Sequence, residues 1–335
     1  MGKRATIRDV AEKAGVSKST VSLVLHNSPL IRTETKAAVN HAIDELRYVR
    51  NRTAAALRSS NSGRIGIIVN DLRSPLMAEL VIAVQASGAT RGMSVLVFHT
   101  GDDPEAERQA VNLALEQDVA GLLVAPSVTS QMGPLETIVE SEIPAIQVLR
   151  QTDACPGANP FHSFDYAIGS HLATQHLLSQ GIEDIAFVGG ETDHQIATER
   201  MSGYADMMQV SGAPILSLPG PETRRFGQEA MLKIASDYPF VRAAICVNEH
   251  VALGMADAAP QTAMAVGENF FLIGFDNGRD SEMALAGITS IHGDMAQFAE
   301  ATVAALLDWI DSGKVPLELV RRPMRLIERR SSRKM

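Results

Sequence analysis

Small hydroxyl side chains and a lysine are concentrated near the start of this 335-residue chain. Ser17, Lys18, Ser19 and Thr20 are consecutive, and their hydroxyl and ammonium groups can hydrogen-bond to phosphate oxygens and base edges. Residues 1–62 hold 11 Lys and Arg against 5 Asp and Glu, whereas the remaining residues hold 19 against 34. A basic segment on an acidic chain predicts a local polyanion-binding module. The alternative is a basic face that contacts only solvent.

A second group of polar side chains follows apolar runs later in the chain or opens a helical pattern. It comprises Asp71, Arg73, Ser74, Arg200, Asn248 and Asp276. Open α/β sheets bind ligands beyond the carboxyl ends of their strands. Asp, Asn and Arg can each form paired hydrogen bonds with adjacent hydroxyls of a polyol. The same residue types also form ordinary turns and caps, and Asp276-Asn277-Gly278 is a good turn sequence.

Other chemistry is not indicated by the sequence. It contains no G-x-G-x-x-G or P-loop pattern and no nucleophile or carboxylate cluster at a useful spacing, so we expect neither an enzyme nor a cofactor. His162, His171 and His176 lack further ligand signals, so no metal is expected. Cys155 and Cys246 are far apart, and Cys246 lies in an apolar run typical of a core thiol. Without a signal core or a membrane-spanning run, we expect a cytoplasmic protein with no membrane partner.

The elements that position the first group are three short helices. Thr6 to Asp9 forms a capping box, Gly15 breaks the first helix, and Ser17 can cap the second. A third helix is predicted from Thr33 to Leu46. Five of its residues are expected to close the core between the three helices: Ala38, Val39, Ala42, Ile43 and Leu46. This arrangement predicts a helix-turn-helix, whose second helix can reach base edges in the major groove. The alternative is a three-helix bundle that serves protein contact.

Residues 48–58 form a basic, alanine-rich segment, and a flexible stretch ending at Gly63 follows. So short a helix is marginal alone because nucleation is costly, and DNA could order it. Leu57 could then insert between base steps and kink the duplex. The alternative is a linker helix whose Leu57 packs on the rest of the protein.

From Arg64 onward, short apolar runs alternate with amphipathic helical patterns. One strand series comprises Ile65–Val69, Val95–Phe98, Gly121–Val124 and Ala145–Val148. A second comprises Ile185–Val188, Ala243–Val247 and Phe270–Gly274. Helices are predicted at Pro104–Gln117, Ala167–Gln180 and Glu249–Asp257. Continuous apolar strands separated by helices predict an α/β fold with parallel sheets covered on both faces, in two similar lobes. A last strand-like run, Val320–Ile327, is followed by no heptad tail, which favours a dimer.

The stretch from Val10 to Ser22 and the stretch from Asn51 to Leu57 resemble the lac-repressor/galactose-repressor family, and the likeness continues along nearly the whole chain. Val49–Arg52 and Ile67–Leu72 are most similar to its maltose-regulon repressor branch. The resemblance implies an N-terminal three-helix DNA-binding domain and a two-lobed, periplasmic-binding-protein-like (type I) parallel α/β domain. The expected boundaries are 1–48 for the helix-turn-helix, 49–62 for the hinge helix and linker, and 63–335 for effector binding and dimerisation. The N-lobe would cover about 63–161 and 291–318, and the C-lobe about 162–290 and 319–330.

The resemblance also implies roles for single residues. The implied DNA-binding residues are Thr6, Ser17, Lys18, Ser19, Thr20, Ser22, Leu23, Asn27, Asn51, Ala54 and Leu57. The implied effector-binding residues are Leu72, Ser74, Met77, Phe164, Arg200, Asn248 and Asp276. Among these, Lys18, Ser19 and Leu23 would face base edges, and Leu57 would enter the minor groove.

The sequence departs from the family pattern at several of these places. Leu23 stands where lac repressor has a base-reading arginine, so an apolar contact replaces a bidentate guanine contact. Gly293 replaces a frequent glutamine and Leu149 a polar residue, and Leu76-Met77 replaces paired aromatics. These changes predict a roomier, less polar cleft, which argues against a standard free hexose and leaves open a larger or more apolar effector, or none.

The functional expectation is a transcriptional regulator, and a repressor in particular. Its partners would be a pseudo-palindromic double-stranded DNA operator, a second copy of the chain in a homodimer, and a small sugar-like effector. The alternative from another class is a cytoplasmic solute-binding or sensor protein without a DNA role, which would explain only the two lobes.

Overall fold

The computed structural model describes residues 5–25, 28–48, 62–127, 132–152, 159–190, 195–284 and 287–333. The chain divides into two compact units, Met1–Ser62 and Gly63–Met335. The expected DNA-binding residues Asn27, Asn51, Ala54 and Leu57 lie outside the described residues, as does Cys155.

The described residues of the first unit form three helices: α1 (Ile7–Lys13), α2 (Lys18–Leu25) and α3 (Thr33–Glu45). The predicted capping box at α1 is confirmed, since the Thr6 side chain accepts from the Asp9 amide while the Asp9 carboxylate accepts from the Thr6 amide at 2.7 Å. Apolar residues from all three helices form one small core, with Val10, Val21 and Val39 fully buried.

Two further contacts define this unit. Lys13 Nζ on α1 donates to Glu45 Oε1 on α3 at 2.7 Å, which joins the first and last helices. The expectation that Ala38 helps to close the core is wrong, because its position on α3 faces solvent, whereas Val39 and Ala42 are buried.

The second unit contains two six-stranded sheets. The strands of the first sheet are β1 (Arg64–Val69), β2 (Ser94–His99), β3 (Leu122–Val124), β4 (Ala145–Val148), β5 (Phe161–Phe164) and β11 (Leu319–Arg322). Their order is β11-β5-β4-β3-β1-β2, and all neighbouring pairs are parallel.

The second sheet has the order β12-β10-β9-β8-β6-β7, and only β12 runs antiparallel to its neighbour. Its strands are β6 (Ile185–Val188), β7 (Leu216–Leu218), β8 (Ala243–Cys246), β9 (Phe271–Phe275), β10 (Thr289–His292) and β12 (Arg325–Ile327). We call the first sheet with its helices the first lobe, and the second sheet with its helices the second lobe.

Helices separate the strands of both lobes. They are α4 (Pro75–Thr90), α5 (Pro104–Glu116), α6 (Met132–Glu140), α7 (Tyr166–Leu178), α8 (Gln195–Ser211), α9 (Arg224–Asp237), α10 (Glu249–Ala258), α11 (Arg279–Met283) and α12 (Met295–Ser312). Short 3-10 helices cover Ala259–Gln261 and Arg330–Ser332. Strands β3, β4, β6, β8 and β9 are buried along their whole length. This confirms the predicted parallel α/β fold with helices on both faces.

The crossings between the lobes correct one prediction. Val320–Ile327 is not a single strand: β11 pairs with β5 in the first sheet, and β12 pairs with β10 in the second. Pro323, which lacks an amide hydrogen, lies between them and cannot continue a ladder. Because β5 and β11 both belong to the first sheet, these two crossings follow Phe164 and Arg322. The lobe boundaries that we expected here, after residues 161 and 318, are therefore each one strand too early.

Cys246 lies fully buried in β8, where its Sγ is 3.4 Å from Met255 Sδ. Burial raises the pKa of this thiol above its ordinary value. These observations confirm a core thiol.

No helix among the described residues is long and apolar enough to cross a membrane. Within the same residues, no group of three His, Cys, Asp or Glu side chains is arranged to hold a metal ion.

Candidate functional site

Helix α2 of the first unit begins with a network of small hydroxyl groups. Ser17 Oγ accepts a hydrogen bond from the Thr20 amide at 3.1 Å, as expected of an N-cap. The same oxygen lies 2.6 Å from Ser19 Oγ and 2.8 Å from Thr20 Oγ1. The cap orders the first turn of the helix and holds three hydroxyl groups close together at its N-terminus.

The outer face of α2 carries the side chains that the sequence singled out. Lys18, Ser19 and Leu23 are exposed, and Leu23 is 42 % accessible. Val21 and Val24 are buried on the opposite face. An ammonium group, hydroxyls and an apolar tip therefore share one accessible helix surface, which can contact phosphates, base edges and a thymine methyl.

Thr20 and Ser22 are half-buried, and the Thr6 side chain is occupied by the capping box, where Thr6 Oγ1 donates to Asp9 Oδ2 at 2.8 Å. The structure thus brings together most of the predicted residues around α2.

In the second unit, a cavity of about 520 Å³ lies beyond the carboxyl ends of strands from both sheets. Asn70 and Asp71 follow β1, and Asp276 follows β9. Asn248 lies just beyond β8, and Arg200 enters the cavity from α8. The topology thus brings these residues together as the strand-end rule predicts.

Arg200 is the most enclosed charged group of the cavity lining, with 2 % of its surface accessible. Its Nη2 donates to Asp276 Oδ1 at 2.7 Å, and its Nη1 donates to the Val247 carbonyl. Its guanidinium carbon lies 4.2 Å from the centre of the Phe275 ring and 4.7 Å from that of Tyr166. Two rings and an acid therefore hold the planar group in one orientation.

The backbone around Asp276 is also set in an unusual conformation. Asp276 has a φ of +79° and Asn277 a φ of +58°, so two consecutive residues adopt the left-handed region. The Asp276 amide donates to the Ile291 carbonyl at 2.9 Å, and the Asn277 amide donates to Ser290 Oγ at 2.9 Å. These bonds compensate the strain and fix the carboxylate beside Arg200.

Asn248 is the N-cap of α10, where its Oδ1 accepts from the Val251 amide at 2.9 Å. Its Nδ2 donates to the Glu222 carbonyl at 3.2 Å and to Glu222 Oε2 at 3.3 Å. The side chain thus caps the start of α10 and positions the Glu222 carboxylate at the cavity. A capping role and a ligand role of Asn248 therefore do not exclude each other.

Of the seven predicted effector residues, Ser74, Met77, Arg200, Asn248 and Asp276 line this cavity, but Leu72 and Phe164 do not. Leu72 is 38 % accessible at the surface. Phe164 is buried, with its ring centre 4.9 Å from that of Phe298. A Cβ atom added at Gly293 would lie 2.5 Å from the Phe164 ring. The ring therefore occupies the space next to this glycine.

The lining contains five carboxylates, three guanidinium groups and two Asn side chains, and it includes no Phe, Tyr or Trp among the described residues. That the cleft is roomier and less polar than the family's usual one stays a prediction. The loss of the family's glutamine at position 293 does not make the cavity apolar, because charged groups from several other loops face it.

Sequence reasoning missed Asp102 and Arg150. Arg150 Nη1 lies 3.2 Å from Asp102 Oδ1, and Asn70 Nδ2 donates to Asp102 Oδ2 at 3.4 Å. These residues follow β2 and β4, so the same strand-end rule would have found them. Glu222 and Glu249 also line the cavity, but they lie in a loop and at a helix start without a distinctive motif.

Three polar contacts connect the lobes beside the cavity. Arg321 on β11 donates to both carboxylate oxygens of Glu199 on α8, at 2.9 and 3.0 Å. The Gln151 amide, after β4, donates to Gln195 Oε1 on α8 at 2.9 Å. Helix α8 of the second lobe therefore contacts the first lobe through the turns that precede Arg200.

Comparison with known proteins gives two family matches. The model of bacterial regulatory proteins of the lacI family matches residues 6–51, and that of a periplasmic binding protein-like domain matches residues 174–332. The maltose regulon regulatory protein MalI of Escherichia coli (strain K12) is 35 % identical over 86 % of this chain and 83 % of its own length. The transcriptional repressor PurR of Serratia proteamaculans (strain 568) is 29 % identical over 98 % of this chain and 96 % of its own.

Solved structures are similar as well. The lac repressor dimer bound to operator and the anti-inducer ONPF has a TM-score of 0.80 at 25 % identity, covering 98 % of this chain and 99 % of that one. The transcriptional regulator CelR in complex with cellobiose has a TM-score of 0.73 at 24 % identity, covering 98 % and 100 %. Because its identity is below 25 %, the likeness to CelR concerns the fold alone.

Proposed function

The chain belongs to the lacI family of bacterial regulatory proteins, and we propose that it represses transcription from a pseudo-palindromic operator as a homodimer controlled by a small effector. Its curated relatives are transcriptional repressors rather than enzymes. A repressor acts on chromosomal DNA, which agrees with a cytoplasmic location and with the expectation of no catalytic activity and no cofactor.

The observation that carries this proposal is the exposed face of α2. Its Ser17 cap orders the first turn of the helix, and Lys18, Ser19 and Leu23 point away from the buried Val21 and Val24. A helix of this kind enters the major groove with its N-terminal residues at the bases. In this proposal Lys18, Ser19 and Leu23 face base edges.

The remaining DNA contacts complete the positioning of the helix. The family pattern assigns phosphate contacts to Ser17, Thr20, Ser22 and Asn27. It also implies DNA contacts for Thr6 and for Asn51, Ala54 and Leu57 of the hinge. Leu57 would insert into the minor groove at the operator centre. Two copies related by a two-fold axis would read two half-sites, so the operator is expected to be pseudo-palindromic.

For the effector we propose a sugar or sugar derivative held in the 520 Å³ cavity between the lobes. Arg200, Asp276 and Asn248 offer donors and acceptors that are already oriented by other contacts, which limits the entropy lost on binding. Met77 and Ser74 line the same cavity from the first lobe. Leu72 and Phe164 take no direct part, since they do not line it.

Effector binding would change the relation between the lobes, and this change would alter the affinity for DNA. Helix α8 carries Arg200 at the cavity and Glu199 at the contact with Arg321 of the first lobe. A ligand that shifts Arg200 would therefore also affect Glu199, the preceding residue, and its ion pair with Arg321. The two binding sites would share a coupling free energy, as allostery requires.

A selection of genomic fragments by the purified full-length protein tests the proposal. We expect enrichment of a short pseudo-palindromic motif, and we expect Lys18→Ala to abolish the enrichment while the protein remains folded. A solute-binding protein without a DNA role would enrich no motif, and that result would overturn the proposal. If the Lys18→Ala variant still enriched the motif, the DNA-binding surface would have to lie elsewhere than on α2.

A further inference from the structure

A second cavity, of about 630 Å³, lies where the chain crosses from β11 to β12, away from the effector cavity. Helix α12 contributes Gln297, Phe298 and Ala301 to its wall, and Arg322 and Arg325 line it from the crossing segment. None of the proposed effector contacts Ser74, Met77, Arg200, Asn248 and Asp276 takes part in it.

The crossing segment presents its two arginines from a well-anchored backbone. Met324 lies between them and is buried. Its Sδ packs against Gly169 of α7, so close that a Cβ atom added to this glycine would lie 2.9 Å from the sulfur. Arg322 ends β11 in the first sheet and Arg325 begins β12 in the second. Both arginines therefore start from a fixed backbone at the junction of the two lobes, and both are exposed.

Among the described residues, neither guanidinium group forms a hydrogen bond or ion pair, although the backbone of both arginines is hydrogen-bonded in the two sheets. The carboxylates that share the cavity have other contacts: Asp294 caps α12 through the Gln297 amide at 3.0 Å, and Glu300 lies 3.8 Å from Arg91. The cavity lining thus contains three guanidinium groups, those of Arg91, Arg322 and Arg325, against two carboxylates, in a unit whose overall charge is negative.

Two histidines near the arginines have lowered pKa values, chiefly because they are buried. The pKa of His162 is lowered to about 4 by burial and by Arg322, and the pKa of His292 is lowered by burial and by Arg325. Both imidazoles are therefore neutral near pH 7. His292 Nδ1 is buried without a hydrogen-bond partner among the described residues, and it lines the same cavity.

We propose that this cavity is a second ligand site, which binds a small phosphate-bearing anion through Arg322 and Arg325. A guanidinium presents paired N–H donors that match the oxygens of a phosphate, and two such groups three residues apart suit a ligand with more than one anionic oxygen. The apolar wall formed by Phe164 and Phe298 would accept the non-ionic part of the ligand. Because one arginine belongs to each sheet, a bound anion would tie the lobes together at their crossing.

Calorimetric titration of the full-length protein with inorganic pyrophosphate, at constant ionic strength, tests the site. We expect saturable binding, and we expect the double variant Arg322→Gln/Arg325→Gln to bind at least about tenfold more weakly, as loss of charge-assisted hydrogen bonds implies. The matched control is Arg225→Gln/Arg279→Gln, which removes the same charge from exposed positions of the second unit outside the cavity.

The control also accounts for polyanion binding by the basic first unit, since that unit is unchanged in both double variants. Urea unfolding followed by the fluorescence of the single tryptophan, Trp309, verifies that each variant is folded. Equal weakening in the two double variants, or no saturable binding to the unaltered protein, would overturn the proposal without bearing on the operator or on the effector cavity.

Discussion

The guanidinium of Arg321, on the last strand of the first lobe, donates two hydrogen bonds of 2.9 and 3.0 Å to the carboxylate of Glu199, on α8 of the second lobe. Arg200, the next residue, faces the cavity and is fixed by Asp276. The proposed contact with a ligand and the contact between the lobes therefore lie on adjacent residues of one helix. This arrangement offers a direct physical route from the cavity to the orientation of the lobes.

Breaking the ion pair should uncouple effector from operator. Glu199→Gln retains the shape of the side chain but removes its charge, so we expect effector affinity to change little. The change in operator affinity that the effector causes should fall by about tenfold, within the usual range of allosteric coupling energies. Operator titrations with and without effector measure this. Glu229→Gln, which breaks an exposed pair with Arg225 on α9, should leave the coupling intact; an equal loss in both variants would remove the special role of Glu199.

Arg200 should be needed for the ligand response but not for DNA binding. Arg200→Ala leaves Asp276 without its partner, so we expect a less stable protein by about 3 kcal/mol, as for other broken buried pairs. We also expect no thermal shift with any of a panel of neutral sugars (glucose, galactose, maltose and cellobiose). Asp276→Asn, which is nearly isosteric, should lose the response with a smaller cost in stability. A shift that persists in both variants would place the ligand elsewhere.

Leu23 should set base preference at one operator position. It is exposed on α2, so Leu23→Arg can be accommodated without repacking the core. A bidentate contact of arginine with guanine discriminates by about 1–3 kcal/mol, and we expect the preferred base at that position to change to guanine. Selection from a randomised operator library measures the change. Leu30→Arg, at an exposed position of the same unit, is the control and should raise affinity without altering the preferred bases.

The buried His162 should make stability depend on pH. Its pKa is about 4 in the folded protein against an ordinary value of 6.5, so between these values the unfolded chain binds more protons. The free energy of unfolding therefore falls as the pH drops below 6.5, by about 3 kcal/mol in full. Urea unfolding between pH 4 and 7.5, followed by Trp309 fluorescence, measures the slope.

His162→Gln should reduce this slope, since glutamine can still hydrogen-bond Thr302, which lies 3.2 Å from His162 Nδ1. Part of the slope should remain, because the pKa of His292 is lowered as well. The control is His41→Gln, which removes an exposed imidazole from the first unit and leaves His162 in place. An identical slope in the protein with and without His162 would mean that this imidazole does not resist protonation.

The fold could be predicted from the sequence because its signals are local. Runs such as Ile65–Val69 and Ala243–Val247 are apolar throughout, as strands buried on both faces must be. The Thr6 capping box depends on residues three positions apart, so it was visible in the sequence and is present in the structure. Pro323 was the overlooked local signal, because it divides the last strand between two sheets.

The site was less predictable, because side-chain packing decides it. Arg200, Asn248 and Asp276 follow from the position of strand ends, and the same rule reaches Asp102 and Arg150. Phe164 could not be placed by such a rule. Its ring lies beside Gly293, which has no side chain to exclude it, and this packing depends on residues distant in sequence. The charge of the cavity lining likewise depends on residues from several separate loops, so it could not be predicted from departures at single family positions.

The central claim is that this chain recognises a specific DNA sequence. Its most direct test is the affinity of the full-length protein for a selected operator, compared with a scrambled duplex of the same length and composition at one salt concentration. The account predicts that the operator binds at least about 10³-fold more tightly, as specific DNA-binding proteins do. It also predicts that Lys18→Ala removes most of that ratio. Equal affinity for the two duplexes would contradict it.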